Sequence, residues 1–313
     1  MEQPDQSAVM PKQITNYAIF GLIVLGLTWG LFFSLSRIAG ETGIEPLVIL
    51  SFALLAEIPI FGVICLVRGR YPRLFRPTSL IFYLVAGILG YMIPAVLELY
   101  SAPLIGAGLL TIVVSISPII TMIFAFLMKT DVLSRRKVMG IILASIAMMP
   151  ILLGENLSIP VPEMAMIGLI IACLVPLCYG IYHNVISKFW PSGEDGWQLA
   201  SGEAVVGFCT IMPITFLIYG FDPMPIIETG LWWVMIGYVV LSAISIYLYF
   251  YLIDKGGPIF VSLAGFISLI AGVGFGMVFF GETHPWWMLV VLSLMIFSIW
   301  LATSSDQYSP NHS

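Results

Sequence analysis

The chain has 313 residues, of which 60% are hydrophobic and 9% charged, with a formal net charge of −5 and a mean hydropathy of +1.05. A water-soluble domain carries about 25% charged residues, so this composition excludes a soluble globule and makes lipid the solvent. The acidic balance does not point to a nucleic-acid partner, because the few basic residues sit in short loops where they act as topology signals.

A helix crosses about 30 Å of hydrocarbon with roughly 20 apolar residues at 1.5 Å each. Ten such segments are expected, at 16–39, 46–67, 79–100, 106–128, 136–153, 164–187, 197–220, 230–252, 258–280 and 285–303. Barrel strands would alternate apolar and polar residues; runs such as 19–29 and 288–300 do not, so the spans are helical. The polar segment 1–13 lacks a positive cluster and no small-residue cleavage site follows it, so the first span is retained.

The loops sort the charges. With the N-terminus inside, the inner segments hold Lys12; Arg68, Arg70, Arg73 and Arg76; Lys129, Arg135, Arg136 and Lys137; Lys188; and Lys255. The outer connections hold Glu41, Glu45, Glu155, Glu163, Asp222, Glu228 and Glu282, with no Lys or Arg. The positive-inside rule then places both termini, including the tails 1–13 and 304–313, in the cytoplasm.

An ionisable group in mid-membrane costs about 3 kcal/mol on insertion scales and needs a compensating role. Span one carries Trp29 and closes on Arg37; span two carries Glu57, with apolar residues for a full turn on either side. Glu57 is read as a proton-coupling carboxylate or a partner for a cationic substrate group. The plainer alternative is a protonated Glu bonded to a neighbouring helix. Glu98 closes span three at the predicted depth of Arg37, and the two are read as an outer gate pair; Arg37 has a local alternative in Glu41, four residues on. Span six brings Tyr179 and, near its cytoplasmic end, His183 and Asn184, which are expected to meet Glu203 of span seven at the inner mouth of a pathway; for His183 the alternative is a satisfied helix-packing histidine. For Glu203 the alternative is a snorkelling interfacial carboxylate. Prolines 94, 118, 176 and 213 each kink a span or free a carbonyl. Cys65, Cys173, Cys178 and Cys209 fall inside spans without CxxC spacing and are read as packing residues.

Shifting the chain by 150 residues lays Trp29 and Gly30 on Tyr179 and Gly180 and brings Asp131 near Glu282. Residues 14–153 and 163–303 are thus two repeats of five spans. An odd number inverts the second copy, and inverted repeats recur in secondary transporters. Trp29-Gly30, the Ser-Ile-Ser-Pro at 115–118, Asp131-x-Leu133 followed by Gly140, and Gly281-Glu282 together resemble the drug/metabolite transporter superfamily, in particular its EamA-like members. The sequence departs from that pattern in the glycine-rich AGVGFG at 271–276, where a proline matching Pro118 is lacking, and in Ala53, where the family often has arginine.

The resemblance implies a carrier of the cytoplasmic (inner) membrane, often an exporter of amino acids or related metabolites, with no bound cofactor. It also implies that the aromatic residues Trp29, Phe32, Phe33, Tyr91, Tyr100, Tyr179, Tyr182, Tyr247 and Tyr249 fall on spans lining the cavity. Beside carboxylates, such a wall suits a cation. The expected substrate and proton residues are Glu57, Trp29, Tyr179, His183, Asn184, Glu203 and Ser115, with Arg37 and Glu98 at the outer gate. No HExxH, GxSxG or GxxxxGK[ST] occurs, which argues against an enzyme and against direct drive by ATP. The expectation is a secondary transporter working by alternating access, with the bilayer, a small molecule and a coupling proton as partners. Uptake of a cationic or amphipathic amine, a non-transporting scaffold or sensor, and a homodimer stay open.

Overall fold

The computed structural model describes residues 14–154, 163–220, 227–228, 230–281 and 286–304; the polar tails, Glu155, Asp222 and Glu282 lie outside them. The described chain is helical. The elements are α1 (Asn16–Glu41), α2 (Pro46–Arg68), α3 (Pro77–Val85, continuing through a π-helical segment Ala86–Met92 into Ile93–Ile105), α4 (two segments, Ala107–Val114 and Ser117–Met128) and α5 (Arg135–Gly154). They continue as α6 (Glu163–Lys188), α7 (Gly196–Tyr219), α8 (Trp232–Ser262), α9 (Ala264–Phe280) and α10 (Trp287–Ser304).

Helix ends follow local chemistry. Thr15 caps α1 by accepting from the Ala18 N–H, and Asp195 with Gln198 forms a capping box at the start of α7. Proline opens α2 and α3, and α2 stops at Gly69, whose φ of 63° is left-handed. Two of the span prolines sit where helices change character. Pro94 lies in the first turn after the π-helical segment, and Pro118 lies in the first turn of the second half of α4 after its break. Pro176 and Pro213 lie within continuous helices.

Among the described residues seven helices are long and apolar enough to cross a membrane, while Ala264–Phe279 and Leu289–Ser304 are shorter apolar helices. The sequence places a fresh span at 258. The backbone breaks there: Gly257, with φ of 82° and ψ of −179°, is non-helical in a conformation only glycine adopts readily, and Pro258 opens a new helical stretch that runs to Ser262 ahead of α9.

The helices pack in a definite pattern. The first, α1, lies against α9 and α8; α6 lies against α4 and α3; α2 pairs with α7 and α5 with α10. Small residues allow the closest crossings. A Cβ at Gly30 would stand 2.6 Å from Ala271 Cβ and 2.9 Å from the Ser268 carbonyl oxygen, and a Cβ at Gly180 would stand 2.4 Å from Ile120 Cγ2. Between the helices lies a core that includes Leu25, Leu54, Phe61, Phe250, Phe260 and Phe266. Phe20, Val67, Phe126, Leu217, Val278 and Trp300 point outward. Large apolar side chains on the outer face are what a helix bundle presents to lipid.

Candidate functional site: a carboxylate-bearing aromatic cavity

The middle of the bundle encloses a cavity with about 590 Å³ between its atoms, mouth included. Helix α1 contributes Trp29 and Phe32, α3 contributes Gly90, Tyr91, Ala95 and Glu98, and α6 contributes Tyr179, Tyr182 and His183. Glu203 enters from α7, and Ser242, Ser245, Ile246 and Tyr249 from α8. The positions used on α8 share one face, because residues three to four apart stack along a helix.

One wall is built of nearly parallel rings. Trp29 stacks with Tyr179 at 5.9 Å between centroids and 10° between planes, and with His183 at 6.4 Å and 5°. Tyr179 and His183 stand one turn apart on α6, so their rings lie side by side at 6.1 Å. Tyr182 stacks on Tyr249 at 4.9 Å, and the Tyr249 hydroxyl lies 3.0 Å from His183 Nδ1.

Three buried carboxyl groups surround this wall, each in a different setting. Glu98 accepts a hydrogen bond of 2.9 Å from the Tyr179 hydroxyl. Glu57 stands behind the lining: its Oε1 accepts from the Tyr91 hydroxyl at 3.1 Å, and that hydroxyl accepts from Ser242 at 3.0 Å. Glu203 lines the cavity directly and is 2% exposed, which replaces the snorkelling alternative with full burial. Glu57 Oε2, Glu203 Oε2 and His183 Nε2 are buried without a hydrogen-bond partner among the described residues. Buried polar atoms are normally satisfied, so such a cluster around a cavity marks groups held ready for something other than the fold.

The structure brings Trp29, Tyr179, His183, Glu203 and Glu98 together and sets Glu57 one layer back. It does not bring in Asn184 or Ser115. Asn184 donates to the Thr121 carbonyl at 3.0 Å and the Gly180 carbonyl at 2.8 Å, and accepts from the Thr130 hydroxyl, tying α6 to α4. Ser115 donates to the Ile112 carbonyl at 2.6 Å, at the break in α4. Arg37 and Glu98, expected to face each other, have different partners here. Arg37 bonds Glu41 at 2.9 Å along its own helix, while Glu98 turns inward to Tyr179. Ser242 and Ser245 were not anticipated; the stripe Ser242, Ser245, Tyr249 in an otherwise apolar helix was the available signal.

The basic end of the bundle carries its own network. Asp195 meets Arg68 at 3.2 Å and Arg70 at 3.3 Å. Burial works to raise its carboxyl, but the Gln198 N–H and the two guanidinium groups outweigh it and hold the group below its usual range. Glu194 accepts from Ser79 and Tyr83 of α3. Asp131 bonds Lys137 at 3.0 Å and accepts from the Ile259 N–H at 3.3 Å, just past the Gly257 bend. Burial lifts Asp131 above its usual range despite Lys137. Among the described residues no three His, Cys, Asp or Glu side chains are grouped to hold a metal ion.

Fold and site together define a polytopic helical membrane protein with a central cavity walled by aromatic rings and carboxyl groups. Residues 16–153 match the EamA-like transporter family, so the resemblance carried by Trp29-Gly30, 115–118 and Asp131-x-Leu133 is shown over that segment. Protein PecM of Dickeya dadantii (strain 3937) is 24% identical over 208 residues, which cover 62% of this chain and 64% of PecM. The match thus spans less than two thirds of that relative. A solved crystal structure superposes with a TM-score of 0.67 at 12% identity, covering 93% of this chain and 99% of its own, a likeness of fold.

Proposed function

We propose that this protein is a secondary transporter that moves a small molecule, an amino acid, amine or related metabolite, across the inner membrane by alternating access around the central cavity. The observation that carries the reading is the composition of the cavity wall. Helices α1 and α3 from residues 14–153 and helices α6, α7 and α8 from residues 163–303 close on the same space. A rocking of one half against the other therefore opens and shuts it.

The packing pattern supports two related halves. Exchanging each helix for the one five places on turns the α1–α9 contact into α6–α4 and the α1–α8 contact into α6–α3, and leaves α2–α7 and α5–α10 as they are. Gly30 and Gly180, 150 residues apart, sit at equivalent crossings. Inversion of the second half and cytoplasmic termini follow from the odd span count and from the basic residues gathered at one end. The walls come from one chain, so a homodimer is not required for the cavity.

Glu203 in the cavity and Glu57 behind Tyr91 are the groups to couple transport to protons, since each can hold a proton or a positive charge in turn. Export, driven by protons entering, is the direction the family resemblance favours. The test is flux of labelled amino acids, amines, nucleosides and organic acids into liposomes holding the purified protein, under an imposed pH gradient. Saturable flux of one class, lost in Glu203→Gln, is expected. Absence of protein-dependent flux for every class would retire the reading in favour of a scaffold.

A further inference from the structure

We infer that the cargo is an organic cation, a compact aromatic amine, and not an organic acid or an amino-acid zwitterion; this rests on the transport reading above. Among the described residues, the lining of the cavity contains Glu98 and Glu203 but neither Lys nor Arg. Arg37, the arginine of α1, pairs with Glu41 along its own helix, and Lys137 with Asp131, both away from the lining. A carboxylate-bearing ligand would enter a desolvated space edged by carboxyl groups with no Lys or Arg to receive it, and a buried carboxylate without such a partner is strongly unfavourable.

Two independent features favour the opposite charge. Glu203 Oε2 is fully buried, unpartnered among the described residues and part of the lining, so an acceptor stands ready for a donor that the protein does not supply. An ammonium group brings three N–H donors and no acceptor. Beside it, Trp29, Tyr179 and His183 present near-parallel rings, and Tyr182 with Tyr249 presents a second pair. Aromatic faces attract a desolvated cation, Trp most strongly, and stack on a flat apolar body. Glu98 is already engaged by Tyr179, so Glu203 takes the ammonium and Glu98 sets the field around it.

The experiment compares three probes with one indole ring and different charge: tryptamine, tryptophan and indole-3-acetate. Binding is measured by thermal shift and by isothermal titration on the detergent-purified full chain. Tryptamine is expected to bind at least about tenfold more tightly than either of the others, and Glu203→Gln to remove most of that preference. Equal or tighter binding of tryptophan or indole-3-acetate overturns the inference, as does the lack of any tryptamine binding. The comparison on the unaltered protein decides the matter even if Glu203→Gln fails to fold. Flux separates the two levels. Tryptamine bound but not moved in liposomes retires transport and leaves a cation site, while tryptophan moved without tryptamine binding retires the cation and leaves transport.

Discussion

Tyr179 on α6 donates a 2.9 Å hydrogen bond to Glu98 on α3, joining the two halves of the chain at the cavity wall. Glu98 is buried and Tyr179 half-buried, and the Tyr179 ring is held against Trp29 by stacking. The carboxyl of Glu98 therefore owes its orientation to a residue 81 positions away in sequence.

Removing the hydroxyl in Tyr179→Phe leaves a buried carboxyl without this donor, at a cost of about 1–3 kcal/mol. A double-mutant cycle with Glu98→Gln in thermal unfolding measures the coupling. An additive result would show that the bond contributes nothing to stability.

Glu57 is separated from the cavity by the Tyr91 hydroxyl. Glu57→Gln is expected to abolish flux driven by a pH gradient while leaving exchange of substrate for substrate measurable in liposomes. Tyr91→Phe keeps the carboxyl and removes the bridge, so it is expected to slow proton-driven flux and spare exchange. Full proton-driven flux in both variants would exclude Glu57 from coupling.

The Asp131–Lys137 pair is buried beside the Gly257 bend. Lys137→Met leaves the Asp131 carboxylate buried without this ammonium and is expected to destabilise the protein by roughly 3 kcal/mol, as removal of one member of a buried pair does. Asp131→Asn combined with Lys137→Met is expected to recover most of the loss. Thermal unfolding of the four proteins reads it directly, and a double variant as weak as the single one counts against the pair.

Two aspartates at the basic end respond to acid with opposite sign. Asp195 is held below its usual range, so its contribution is present above the unfolded value of 3.8 and is lost as pH falls through the lower folded value. Asp131 is raised above 3.8, so its ionisation costs stability at higher pH, and that cost is relieved as pH falls through the folded value. Melting curves between about pH 3 and about pH 7 are expected to show less acid sensitivity in Asp195→Asn and more in Asp131→Asn.

Gly30 and Gly180 serve equivalent crossings, so Gly30→Ala and Gly180→Ala are expected to destabilise by similar amounts, about 1–3 kcal/mol each from overpacking. Gly30 faces backbone atoms of α9, which have little room to yield. A neutral Gly30→Ala in the same unfolding assay would show that the α1–α9 contact is looser than its geometry.

Much of the molecule was legible in its residues. Lipid acts on each stretch of chain separately, because every backbone N–H and carbonyl in hydrocarbon must be bonded within the stretch itself. Apolar length, caps such as Thr15 and Asp195, and the stop at Gly69 therefore announce the helices locally. Repetition at 150 residues also singled out Trp29 and Tyr179 as counterparts, but not as rings that stack on each other. What only the tertiary structure decided is which face each polar side chain turns inward. Span position alone could not send Asn184 to the α4 backbone and its neighbour His183 to the cavity, or set Glu57 behind Tyr91 while Glu203 lines the wall. A low-polarity helix surface offers no periodic contrast between lipid and core, so rotation about each axis is settled by packing against the other helices, and with it the chemistry of the site.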